Sequence, residues 1–182
     1  ILKNFISKGN VQGLEVELVN GFNLSKTSLS FFADRNDILI KNILGNLEDI
    51  KIFDGDIRLN LDNGIKLNSN FNSKIIFNGN LFAKYEKFLG KYSFIENIKF
   101  LQSNFSNSFK IDLDKTYKVQ DYDFSASGVI EKSQFKLNKP LKNNFVTEKI
   151  EEIYLSDLKF QTKFLPKKIS LNGDGKYSFD NS

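Results

Sequence analysis

Asp54-Gly55-Asp56-Ile57-Arg58-Leu59-Asn60-Leu61-Asp62-Asn63-Gly64-Ile65-Lys66-Leu67 is the stretch on which the fold class turns. Apolar side chains take every second position in both halves. Successive side chains of a β-strand point to opposite faces, so the pattern describes strands with one apolar and one wet face. Asp54-Gly55 and Asn63-Gly64 bracket the first run. Both residue types tolerate the positive φ that tight hairpin turns require. The stretch therefore predicts a β-meander, with Leu59, Leu61, Ile65 and Leu67 on one face and Arg58, Asn60 and Lys66 in water. A slip of one residue would reverse every one of these side chains.

The same alternation runs outward in both directions. Upstream it takes in Leu14, Val16 and Leu18, then Leu29 and Phe31. Ile57 opens the central run and Phe71 closes it. Downstream come Phe109, Ile111 and Leu113, then Phe135 and Leu137, then Ile169 and Leu171. Further Asx-Gly pairs stand at Asn20-Gly21, Asn78-Gly79 and Asn172-Gly173, and they are expected to be turns as well. A parallel sheet covered on both sides would show continuous apolar runs instead. One segment differs: Leu81, Tyr85, Phe88 and Tyr92 recur at helical spacing, which predicts an amphipathic helix near 80–91. Thr147 to Leu158 mixes both signals and is read as a strand.

The composition removes most chemistry. The 182 residues contain no Cys and no His. Disulfides, thiol nucleophiles, Ser-His-Asp triads and the usual zinc sites are thereby excluded. Charge is dense but mixed, 26 basic against 22 acidic residues, which gives no nucleic-acid signal. No run of about 20 apolar residues occurs, so no helical membrane span is expected. The chain begins at Ile1 and contains no Met, and is read as one segment, 1–182, of a longer protein.

Weak constellations have plainer explanations. Asp54/Asp56, Asp112/Asp114 and Asp121/Asp123 could share a cation, but Arg58 and Leu59 break the calcium-loop pattern. They are expected to be turn caps and solvated strand positions, with no metal and no cofactor. Gly173-Asp174-Gly175-Lys176 lacks the spacing of a phosphate loop and is expected to be a tight turn. Lys84, Lys87 and Lys91 are expected on the polar face of that helix, either solvated or against anionic lipid headgroups. No catalytic residue is identified and no enzymatic activity is expected. The apolar face must meet something. Period two does not separate a single curled sheet that lines a groove from a two-sheet sandwich with a closed core, such as an adhesion or carbohydrate-binding module.

A family resemblance bears on that choice. Gly9-Asn10-Val11-Gln12-Gly13-Leu14-Glu15-Val16-Glu17-Leu18 opens a recognisable order. It continues through Phe31-Phe32-Ala33, Ile43-Leu44-Gly45-Asn46-Leu47 and Phe53 to Gly64, and closes with Ile169-Ser170-Leu171-Asn172-Gly173-Asp174-Gly175-Lys176-Tyr177. These short phrases resemble the AsmA-like superfamily, especially its YhdP-like and TamB-like branches. The resemblance implies a mainly β, antiparallel meander curled into a taco-shaped groove. It further implies a periplasmic protein of a Gram-negative envelope, held at the inner membrane by a segment outside this stretch. The expected partners are phospholipid acyl chains, passed between inner and outer membranes, and adjoining β-groove segments of the same chain. On this reading the eighteen alternating apolar residues from Leu14 to Leu171 line the groove. A tail of ~15 methylenes exposed to water costs about 12 kcal/mol, and an apolar trough removes most of that cost.

Overall fold

The computed structural model describes residues 5–17, 21–78, 98–142 and 149–179. Nine strands make one antiparallel sheet whose spatial order is the sequence order, and the sheet is not closed. They are β1 (Ser7–Glu17), β2 (Asn23–Ala33), β3 (Asp37–Leu47), β4 (Ile50–Asn60), β5 (Ile65–Asn78), β6 (Ile98–Leu113), β7 (Val119–Leu141), β8 (Ile150–Leu165) and β9 (Lys168–Phe179). The meander is therefore established, and the ambiguous segment after Thr147 is strand from Ile150 onward. The described strands form one sheet, not the two a sandwich would need. The helix expected near 80–91 lies outside the described residues, among which no α-helix occurs.

Short polar connections turn the chain. Between β2 and β3, Asp34 Oδ1 accepts from the backbone N–H groups of Asn36 and Asp37, both at 2.9 Å. These bonds hold its carboxyl below the ordinary range, the larger effect coming from Asp37. Glu48-Asp49 alone joins β3 to β4, and Pro166-Lys167 alone joins β8 to β9. Asn63-Gly64 turns the chain as expected, with Gly64 at φ +98. A side chain at Gly64 would run into the Leu113 carbonyl oxygen, so both conformation and space require glycine. The β6–β7 turn is built around Asp114. Its Oδ1 accepts from the Thr116 hydroxyl and N–H at 2.7 Å and from Lys118 N–H at 3.1 Å.

Three expected turns are not turns. Asp54-Gly55 sits inside β4, with Asp54 at φ +50, and forms a β-bulge. Asn172-Gly173 and the run Gly173 to Lys176 lie inside β9. An Asx-Gly pair supplies the left-handed conformation, but a bulge uses it as readily as a hairpin does. Pairing on both sides of Asp54-Gly55 makes the difference: Ile52 pairs with Gly45, and Gly55 with Ile43. β4 is accordingly longer than the run between the two Asx-Gly pairs, extending back to Ile50.

The chain packs as two compact units. The first comprises Ile1–Lys74, Phe105–Ser127 and Gln161–Asn172, and the second Ile75–Asn104, Gly128–Phe160 and Gly173–Ser182. Among the described residues, buried apolar side chains are few. The first unit buries Phe22 and Ala126, and the second Phe77, Ile98 and Ile150. The most enclosed side chains are small: Thr27 in the first unit and Ser103 in the second.

Candidate functional site

Cross-strand partners share a face, so the register of β1 to β4 defines the apolar surface residue by residue. Gly9 pairs with Phe31, Phe31 with Ile40, and Ile40 with Ile57. The next row runs Ala33, Ile38, Leu59. Val11 faces Leu29 on the other side of the first row. The Phe31 ring lies over Gly9, where an added Cβ would come within 2.9 Å of it. Each apolar pair of this kind contributes ~0.2–1 kcal/mol to the sheet. Phe31, Ile38, Ile40, Ile57 and Leu59 are only half-buried.

A bulge crosses each of these four strands. Gly13, Lys26, Asn42 and Asp54 have positive φ, one per strand, and the register shifts fall beside them. Each bulge advances the chain by one residue and changes the phase of the alternation. Val11 and Leu14 therefore share a face although they stand three positions apart, as do Ile40 and Ile43. The apolar surface continues through the bulge row to Val16, Leu24, Leu47 and Ile50. Small residues mark the row on the apolar side. A Cβ on Gly45 would clash with the Thr27 side chain, and one on Gly55 would lie 2.9 Å from Ile43 Cβ and 3.4 Å from Phe71 Cβ.

The expected lining residues divide as follows. Leu29, Phe31, Ile57 and Leu59 fall in the rows just described. Leu14 and Val16 are on the edge strand β1 and are exposed. Leu18 lies outside the described residues. Leu61 belongs to the β4–β5 connection rather than to a strand; it is 37% exposed and its N–H donates to the Asn36 carbonyl at 2.7 Å. Ile65, Leu67 and Phe71 are in β5, and Phe109, Ile111 and Leu113 in β6. Phe135 and Leu137 are in β7, within the second unit. Ile169 and Leu171, on the edge strand β9, are more than half exposed.

Two groups escaped the sequence reading. Ile38 and Ile40 were hidden because Leu39 between them is apolar too, so the run shows no clean alternation. Phe124 lies against Phe109 and Phe164 against Phe124 in tilted ring pairs, with centroids 6.5 Å and 5.8 Å apart.

The opposite face carries Phe32, Leu39 and Leu44 among polar, hydrogen-bonded side chains. Asn72 Nδ2 donates to Asp54 Oδ2 at 3.3 Å, and the Ser106 hydroxyl donates to Asn72 Oδ1 at 2.8 Å. In the second unit, Glu131 accepts from the amides of Gln102 and Asn104. Glu152 accepts from the Tyr154 hydroxyl at 2.8 Å and from Gln134 at 2.6 Å. Those bonds hold its carboxyl below the ordinary range, Tyr154 first. Asp114 is held low as well, chiefly by the Thr116 hydroxyl. These carboxylates act as hydrogen-bond acceptors in turns and ladders. Among the described residues, no three potential ligands gather where a metal could bind. What the arrangement offers chemically is an apolar surface across β1 to β4. No protein family, curated protein or solved structure matches this chain.

Proposed function

We propose that this chain is a segment of a lipid-handling envelope protein whose apolar sheet face shields phospholipid acyl chains in transit between inner and outer membranes. On this reading the sheet curls into a groove, continues into adjoining segments of the same chain, and works without catalysis or cofactor. The periplasmic setting and the membrane anchor beyond this segment rest on the resemblance to the AsmA-like superfamily. One observation carries the reading. Phe31, Ile38, Ile40, Ile57 and Leu59 share a face in an unclosed sheet and are half-buried, where the core of a closed sandwich would bury them. Mixed Phe, Ile and Leu side chains, which hold a tail without fixing its position, suit conduction.

The test places a photo-crosslinking residue at Leu59 or Ile65 and asks for adducts with phospholipid in the cell envelope. Capture at both, and its loss at Ile65 in the Leu59→Asp background, is the expected outcome. On an open face the new carboxylate stays hydrated, and the variant should lose no more than about 2 kcal/mol. Burial in a closed core would cost several kcal/mol. A folded wild type that captures no lipid at either position overturns the proposal.

A further inference from the structure

We propose that the face opposite the apolar rows carries a second binding site, for a single-chain carboxylate amphiphile, in a hollow across β1, β2 and β3. Two adjacent cross-strand rows build it. One runs Lys8, Phe32, Leu39, and the next Asn10, Ser30, Lys41. Asn10 and Ser30 are short and leave a hollow of about 500 Å³. That volume lies within the ~300–1,000 Å³ range of small-molecule sites.

The chemistry of the lining selects the ligand. Phe32 is 38% exposed and pairs with Leu39 on this face. This pair gives an apolar body something to lie on. Lys8 and Lys41 are exposed and flank the pair from different strands, and no carboxylate lines the hollow. The neighbouring Arg58, partnered with Leu39, adds a third cation, although Asp37 engages it at 3.6 Å. Asp56 shares the adjoining hollow with Lys41 but does not line this one. An apolar pair flanked by two exposed ammonium groups complements a chain that ends in an anion. A neutral chain gains nothing from the lysines, and a cationic one is repelled. This site is independent of the lipid groove proposed for the other face.

Isothermal titration and amide NMR with dodecanoate at low ionic strength test the proposal. Dodecanol is the neutral control. The expected result is saturable dodecanoate binding that shifts the Asn10 side-chain amide signals, with dodecanol weaker. Each exposed pair contributes modestly, but charge reversal turns attraction into repulsion at both positions. Lys8→Glu combined with Lys41→Glu should therefore weaken binding roughly tenfold. Phe32→Ser should weaken both ligands. Leu59→Asp, on the apolar face, should leave these shifts unchanged. Binding abolished by Leu59→Asp but indifferent to the lysine reversal would assign the ligand to the other face and overturn the proposal. Equal affinity for dodecanol, or no binding at all, would overturn it too, without bearing on lipid capture at Leu59.

Discussion

Four left-handed residues, Gly13, Lys26, Asn42 and Asp54, place the bulges of the first four strands. At Lys26, with φ 50, an L side chain is strained. Lys26→Asn should be neutral or slightly stabilising, whereas a β-branched Lys26→Val should cost ~1–3 kcal/mol in a denaturant titration. The close glycines obey a different constraint. A Cβ on Gly13 would meet nothing within 4 Å, so only conformation matters there, and Gly13→Asn should be tolerated. A Cβ on Gly45 would lie 3.1 Å from Thr27 Cβ, and Gly45→Ala should cost ~1–3 kcal/mol through overpacking. Turn carboxylates respond to pH. Asp34 and Asp114 have folded pKa values below their unfolded ones. Their contribution is present above the unfolded value and is lost as pH falls through the folded one. Acidification below about pH 4 should therefore loosen both turns. An NMR titration should find the Asp114 midpoint below that of a free Asp, and Asp114→Asn should abolish this part of the acid response.

Strands are the elements that carry both faces, and their spacing depends on what each glycine allows. Gly175 in β9 opposes Leu158 in β8, so that an added Cβ would lie 2.5 Å from Leu158 Cα. Gly175→Val should push β9 off its neighbour. Hydrogen exchange should then show β9 amides losing protection while β3 and β4 keep theirs. Lys176 and Asp157, an exposed ion pair at 3.5 Å, contribute little to holding β9 in place. Leu61 makes the complementary point. Alternation assigns it to the apolar face, yet β4 ends at Asn60 and Leu61 serves the turn through its backbone. Leu59, paired with Ile38, is the position at which a charge tests that face.

Across the whole molecule, every strand pairs with its neighbour in sequence, so the sheet forms from local hairpins. The order is not closed, and β1 and β9 each leave one side without a strand partner among the described residues. Hydrogen exchange should reflect this. Amides of β1 and β9 should exchange fastest, and those of β3 and β4, paired on both sides, slowest. Uniform protection from β1 to β9 would contradict an open order.

The sequence by itself determined the β class, the meander, the presence of one apolar face and the absence of His and Cys chemistry. These follow from period-two alternation and from residue types, which are local properties. Asn63-Gly64 was legible as a turn for the same reason. Only the tertiary structure decided which Asx-Gly pairs turn the chain and which bulge a strand. Asp54-Gly55 and Asn63-Gly64 supply the same backbone freedom. The first is held straight by pairing with Ile43 and Ile52's partner Gly45, residues about ten positions away. The bulge row was invisible for that reason, and with it the phase change that brings Ile43, Leu47 and Ile50 onto the same surface as Ile40 and Ile57. Alternation reports which side chains share a strand face, but a register between strands is a long-range choice, settled by packing.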